Sequence, residues 1–208
     1  MSTNSIITIG RQCGSGGREI GTKLAKDLGI PYYDKQLLKE AAKKSGLCEE
    51  IFESFDEKPT TSFLYSVVMD PYSLGFGGNT FDMPLNHKVF LAAFDTIKSI
   101  AEQGPCVFVG RCADYALSDF HNCINLFVHA PIEFRAKRIA EEQNSTIEQA
   151  TSFIHKKDKQ RSSYYNYYAS NRWGDMSTYD FSIDSSVLGI DGTVELIKQY
   201  ITLFEHKR

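Results

Sequence analysis

Residues Ile6-Ile7-Thr8-Ile9-Gly10 run directly into Arg11-Gln12-Cys13-Gly14-Ser15-Gly16-Gly17-Arg18-Glu19-Ile20-Gly21. The first run is β-branched and of strand length. Beyond the glycines, Ile20, Leu24 and Leu28 recur at helical spacing, and Gly29 stands where a C-terminal cap belongs. A strand, a glycine turn and a helix joined this closely admit few folds. Gly14, Gly16 and Gly17 let the backbone take positive φ and come close to a ligand. The amides that open the following helix then point at an anion. Three glycines within four residues are more than a turn alone requires. The loop therefore reads as a cradle for phosphates, contacted by Gly14, Ser15, Gly16, Gly17, Arg18 and Glu19, with a plain strand-to-helix turn as the alternative.

The match to the phosphate-loop pattern G-x-x-x-x-G-K-[ST] is incomplete. With Gly14-Ser15-Gly16 laid on the loop, Gly17 stands at the lysine position and Arg18 at the magnesium-binding Ser/Thr position. Arg18 is the nearest cation that could replace the lysine, although its planar fork differs from a lysine point charge. The alternative is that it points outward from the first turn of the helix and pairs with a neighbouring carboxylate. The other glycine fingerprint, G-x-G-x-x-G, fails because its last position is Glu19.

A chain of 208 residues suits one α/β domain, 1–208, with room for an insertion. Hydrophobic residues at 42% and charged residues at 24% suit a packed core and argue against disorder. A net charge of −3 supplies no general field for nucleic acid or acidic membranes, so anion binding must be local. The first residues lack a signal-peptide pattern and no apolar run approaches membrane-spanning length, which predicts a cytoplasmic protein. The five cysteines form no C-x-x-C pair, so neither a disulfide framework nor a zinc site is expected. Cys106 and Cys123 read as core thiols, while Cys13 in the loop is either a core thiol or a reactive one.

Ile30-Pro31-Tyr32-Tyr33-Asp34 is a short strand delivering a carboxylate at its carboxyl end, the edge where open parallel sheets bind ligands. Asp34 could hold magnesium through water or contact an acceptor. It could also N-cap a helix over 35–45. Residues 46–85 are turn-rich and read as an acceptor-binding insertion. A helix from Val89 to about Gly104 precedes Cys106-Val107-Phe108-Val109, an apolar strand that discharges into Gly110-Arg111. There Arg111 is suited to bidentate phosphate binding. Cys123 to His129 is the next strand, with Pro131 expected at the first position of a helix carrying Arg135 and Arg138. A polar helix over 146–170 puts Asp158, Arg161 and Tyr165 on one face. Its lysines and tyrosines would suit either a closing lid over phosphates, an RNA surface or a solvated face. Tyr179 to Asp184 is the last strand, followed by a closing helix. Strands alternating with helices favour a parallel sheet covered on both sides.

The glycine loop, Pro31-Tyr32-Tyr33-Asp34, Val109-Gly110-Arg111 and the tail Asp158…Arg161…Tyr164-Tyr165…Trp173…Tyr179-Asp180 together resemble the cytidylate kinase-like family of P-loop nucleoside monophosphate kinases. The resemblance implies a three-layer P-loop kinase fold, a five-stranded parallel sheet flanked by helices, with an acceptor-binding insertion at 46–85 and a lid-like region at 135–175. It implies Mg2+ and ATP, with the donor phosphates held by the glycine loop, and CMP, dCMP or a related small acceptor. Arg111 would take the acceptor phosphate, with Asp34 and Tyr165 as substrate contacts. Arg18, Arg111, Arg138 and Arg161 would form the catalytic group, and Arg135 is a further lid candidate. No direct protein ligand for the metal is implied beyond Asp34 acting through water. Small-molecule nucleotides are the expected partners, without nucleic acid or membrane, and homo-oligomerisation is left open. A kinase for another acceptor, a nucleotide-binding regulator that has lost turnover, and an RNA-binding protein are the alternatives.

Overall fold

The computed structural model describes residues 3–34 and 85–207. The helix expected over 35–45 and nearly all of the expected insertion lie outside the described residues. The elements are β1 (Ile6–Arg11), α1 (Gly17–Leu28), β2 (Tyr32–Tyr33), α2 (Leu85–Ala101), β3 (Val107–Val109), α3 (Ala113–Ala116), β4 (Cys123–His129), α4 (Ile132–Gln143), α5 (Ile147–Tyr168), β5 (Phe181–Asp184) and α6 (Ser185–His206). A single 3-10 turn, Met176–Thr178, precedes β5.

The strands form one sheet in the order β2-β3-β1-β4-β5. Every adjacent pair is parallel, so all the strands end at the same edge. The period of two along β1 divides the core. Ile7 and Ile9 pack with Ile20 and Leu24 of α1 and with Val194, Ile197 and Ile201 of α6. Ile6 and Phe108 face the other way, against Ile97 and Ile100 of α2 and the small α3 residues Ala113 and Ala116. Helices on both faces explain why β3 reads as an uninterrupted apolar run.

Three details differ from the sequence expectation. Pro131 is the N-cap of α4 rather than its first helical residue, because its ψ of 148° is extended. Its carbonyl accepts the Arg135 amide at 3.1 Å. The short helix α3 was not expected. Helix α6 breaks at Gly189, where φ is 65° and ψ is −173°. Among the described residues, no helix is long and apolar enough to cross a membrane.

The two ends of the described chain are tied together. Glu205 Oε1 accepts hydrogen bonds from Thr3 Oγ1 at 2.6 Å, Ser5 Oγ at 2.7 Å, the Asn4 amide at 2.9 Å and the Ser5 amide at 3.2 Å. Partial burial works to raise the Glu205 carboxyl, and the donors on Thr3 and Ser5 outweigh it, leaving it below its ordinary value. A carboxyl depressed by folding adds stability that is present above its unfolded pKa and is lost as pH falls through the folded one. Glu205→Ala should therefore cost about 1 kcal/mol at neutral pH, the low end for charged hydrogen bonds because the site is part-exposed. In urea titrations the gap between the variant and the unmodified chain should close as the solution is acidified through the glutamate range. A constant gap across that range would assign the loss to packing instead.

Candidate active site

The glycine loop begins where β1 ends. Gly14 and Gly16 both have φ of 80°, a conformation that strains any residue with a Cβ. Gly16 is the N-cap of α1, so the amides of the first helical turn open toward the loop. Ser15 turns away from it. Fully buried, its hydroxyl donates to Gln12 O at 2.9 Å or Val128 O at 3.1 Å, and its carbonyl accepts from Ser185 Oγ at 2.6 Å. Ser15 thus shapes the loop with its side chain and has only backbone to offer a ligand.

The loop is braced from outside by helices α4 and α5. Asp158 accepts the Cys13 amide at 2.7 Å on one oxygen and Arg135 Nη1 at 2.6 Å on the other. Arg135 also donates to Cys13 O at 3.1 Å and, through Nε, to Ala130 O at 2.8 Å. Arg135 is buried, at 8% exposure, and Asp158 is half-buried, at 16%. Arg135 therefore braces the loop, and it is not among the residues lining the cleft described below. Cys13 packs with Ala136, Ile139 and Ile154, and burial pushes its thiol up. That protonated, enclosed sulfur is a core group rather than a nucleophile.

Asp34 lies between two guanidiniums. Arg18 Nε donates to Oδ2 at 2.6 Å, and Arg111 Nη1 donates to Oδ1 at 2.9 Å. The Asp34 and Arg111 side chains are 6% and 3% exposed, whereas Arg18 is 59% exposed. Arg18 thus takes the carboxylate-paired arrangement while lining the cleft described below. Two cations already occupy the approaches to Asp34, which disfavours that carboxylate as a magnesium anchor.

Arg111 reaches Asp34 through a strained turn, with φ of 78° at Gly110, 58° at Arg111 and 54° at Cys112. Non-glycine residues in this region cost about 1–2 kcal/mol each, and such strain persists where the surroundings hold it. Here the Gly110 amide donates to Ile9 O at 3.1 Å and the Ala113 amide to Gly110 O at 3.2 Å.

A cleft of about 1260 Å3 opens at the carboxyl edge of the sheet, lined by the glycine loop, Arg18, Arg111, Arg138 and Arg161. This exceeds the ~300–1,000 Å3 usual for small-molecule sites. Arg138 Nη2 pairs with Glu19 Oε2 at 2.9 Å across the opening. Arg161 Nη1 donates to Arg11 O at 3.3 Å. Asp158, Arg161 and Tyr165 do share one face of α5, as their spacing requires.

The profile of the cytidylate kinase-like family matches residues 6–187. The chain belongs to the cytidylate kinase-like family. It is similar to a cytidylate kinase of Pyrococcus furiosus, 26% identical over 198 residues, covering 94% of this chain and 88% of that one. Among solved structures, an uncharacterized protein from Eubacterium ventriosum superimposes with a TM-score of 0.71 at 30% identity, covering 95% of this chain and 98% of the other. A shikimate kinase from Bacteroides thetaiotaomicron superimposes with a TM-score of 0.54 at 12% identity over 95% and 98% of the two chains, a likeness of fold alone. As a member of this family the chain is a phosphotransferase of the nucleotide or small-molecule kinase type.

The structure gathers Gly14, Gly16, Gly17, Arg18, Glu19, Arg111, Arg138 and Arg161 onto the cleft. Tyr165 lies apart. It is 4% exposed, its hydroxyl hydrogen-bonds Asp114 Oδ2 at 2.5 Å, and the adjoining pocket of about 20 Å3 is the size of a water site. Burial raises the Asp114 carboxyl, partly offset by the Tyr165 hydrogen bond, and burial beside Asp114 raises the Tyr165 phenol. Tyr164 and Tyr168 pack on Phe90, with Tyr168 stacked at 4.0 Å, so this end of α5 is a packing surface. Sequence reasoning missed Asp114, for which no spacing signalled a partner, and missed Arg11. The latter carried one available signal, a charge ending an apolar strand on the same parity as Ile7 and Ile9.

Removing Asp158 strands a buried guanidinium and loosens the loop together. Asp158→Ala should lower stability by about 3–5 kcal/mol, the usual effect of deleting one member of a buried pair. Replacing both members, Asp158→Leu with Arg135→Met, should recover most of that in thermal unfolding. A single variant as stable as the unmodified chain would show that the pair does not brace the loop.

Proposed function

We propose that the chain transfers the γ-phosphoryl group of ATP to CMP, dCMP or a closely related small acceptor. The observation that carries this is convergence: a glycine loop opening on a helix N-terminus, the Arg111 turn, and Arg138 and Arg161 meet around one cleft at one sheet edge. Phosphoryl transfer demands positioning and charge neutralisation more than covalent participation, and these are what such a cleft supplies. The loop amides would hold the donor phosphates, and Arg111, anchored on Asp34, would take the acceptor phosphate. Arg138 and Arg161, from α4 and α5, would approach the transferring group in the manner of a lid.

Magnesium enters this reading as part of the donor substrate, bound to the ATP phosphates. Among the described residues there is no group of three His, Cys, Asp or Glu side chains that could hold a metal. Ser15 is turned inward and Asp34 faces guanidiniums. We place the activity in the cytoplasm, a setting consistent with the buried free thiols Cys13, Cys106, Cys112 and Cys123.

A second reading, nucleotide binding without turnover, draws on Gly17 and Arg18, which replace the lysine and hydroxyl of the phosphate-loop pattern. An assay of ADP formation from ATP and magnesium over a panel of monophosphates and small alcohols separates the two. Turnover with CMP or dCMP in preference to the rest is expected. ATP binding with no turnover on any acceptor would favour the regulator, and turnover on a different acceptor alone would overturn the cytidylate assignment. In the same system, Arg111→Ala should weaken CMP binding by about ten- to a hundredfold, the value of a charge-assisted pair. ATP affinity should hold. Calorimetry giving equal losses for both ligands would make Arg111 structural.

A further inference from the structure

Gly17, the first residue of α1, stands where the phosphate-loop pattern carries its lysine. The space that a side chain would need there is taken. A Cβ on Gly17 would lie 2.6 Å from Arg11 Cβ and 3.2 Å from Arg11 Cγ. These atoms are the root of the arginine and cannot swing aside as a flexible tip would. Positions 11 and 17 therefore cannot both carry a side chain in this backbone.

Arg11 also stands where a cation is wanted. It ends β1 on the parity of Ile7 and Ile9, which face α1 in the core, and one step further along the strand this face meets the beginning of the loop. The residue is only 6% exposed, yet it lines the same cleft as Gly14, Gly16, Gly17 and Arg18. Its charge is felt at the Tyr32 hydroxyl beside those of Asp34 and Arg18, so it lies close to that cluster. Its backbone is held by Arg161, which donates to its carbonyl at 3.3 Å. Arg18 is paired with Asp34 at 2.6 Å.

We propose that Arg11 is the loop's cation, occupying from the strand side the volume that a side chain at position 17 would fill and donating its guanidinium hydrogen bonds to the terminal phosphates of the donor nucleotide. The proposal rests on the reading that the glycine loop holds those phosphates. It moves the charge from the far side of the loop to the near side, so Gly17 is the partner of Arg11 and not a defect. A guanidinium in that place presents a fork to two phosphate oxygens, where a lysine would present a point charge. Arg18 is left to Asp34.

Calorimetric binding of MgATP, MgADP and adenosine tests this on the unmodified chain, on Arg11→Met, on Gly17→Lys, and on Gly17→Lys combined with Arg11→Gly, with thermal unfolding of each in the absence of nucleotide. Arg11→Met should lose MgATP affinity by about ten- to a hundredfold, with a smaller loss for MgADP and none for adenosine. Gly17→Lys alone should unfold at a lower temperature, because its Cβ meets the arginine root. The combined variant should recover both stability and MgATP binding, a non-additivity that two independent sites would not give. Arg11→Met binding MgATP as tightly as the unmodified chain, or losing MgATP and adenosine by equal factors, would overturn the assignment. Should Arg11→Met fail to fold, the combined variant decides: recovered MgATP binding supports the swap, and a folded protein without it overturns the swap. An unmodified chain that binds no MgATP would bring down the donor reading itself. A chain that binds MgATP regardless of residue 11 would bring down only the role of Arg11.

Discussion

A loop that offers amides to an anion cannot also carry the side chains that would hold its shape. That constraint is met by the hydrogen-bonded pair of Asp158 and Arg135, which grips Cys13 at both its amide and its carbonyl. The glycines remove the Cβ atoms that would obstruct a phosphate, and two helices beyond β4 return to supply the rigidity. Ser185 adds a third point of attachment at the Ser15 carbonyl. The loop is thus held from α4, from α5 and from the start of α6, while its own contribution is almost entirely backbone.

Around that loop the arginines have separate employments. Arg135 is buried and engaged with backbone and Asp158, so it is part of the frame. Arg111 is buried on Asp34 behind a turn with three successive positive φ angles, an arrangement costly enough to imply that its position matters. Arg18 and Arg138 are the more exposed pair, held on Asp34 and Glu19. A cluster of like charges kept apart by Asp34 and Glu19 is poised for a polyanion without repelling itself open.

Much of this was legible because parallel sheets speak plainly. Each apolar strand-length run that ended in Gly10, Asp34 or Gly110 had to deliver those residues to one edge, and the common direction of the strands followed from the intervening helices. The shared face of Asp158, Arg161 and Tyr165 followed from helical spacing alone. What spacing does not contain is the partner across the gap. Tyr165 and Asp114 are 51 positions apart, and their hydrogen bond comes from how α5 folds over α3. Arg135 and Arg138 are one turn apart and look alike in the sequence, yet one is a brace and the other lines the cleft, because α4 is only partly buried. The tyrosines of α5 were equally silent about Phe90 of α2, on which Tyr164 and Tyr168 pack.

The steric exclusion between positions 11 and 17 also restricts how such a loop can change over time. Chains with a lysine at the helix start and chains with an arginine at the strand end stand on opposite sides of a barrier in sequence space. Changed one residue at a time, a chain passes either through a clash at 2.6 Å or through a loop with glycine at both places and no charge at either. Either intermediate is poorer than both ends. Lineages on the two sides would then stay apart long after their remaining residues had drifted, and the occupant of position 11 would mark the side to which a chain belongs.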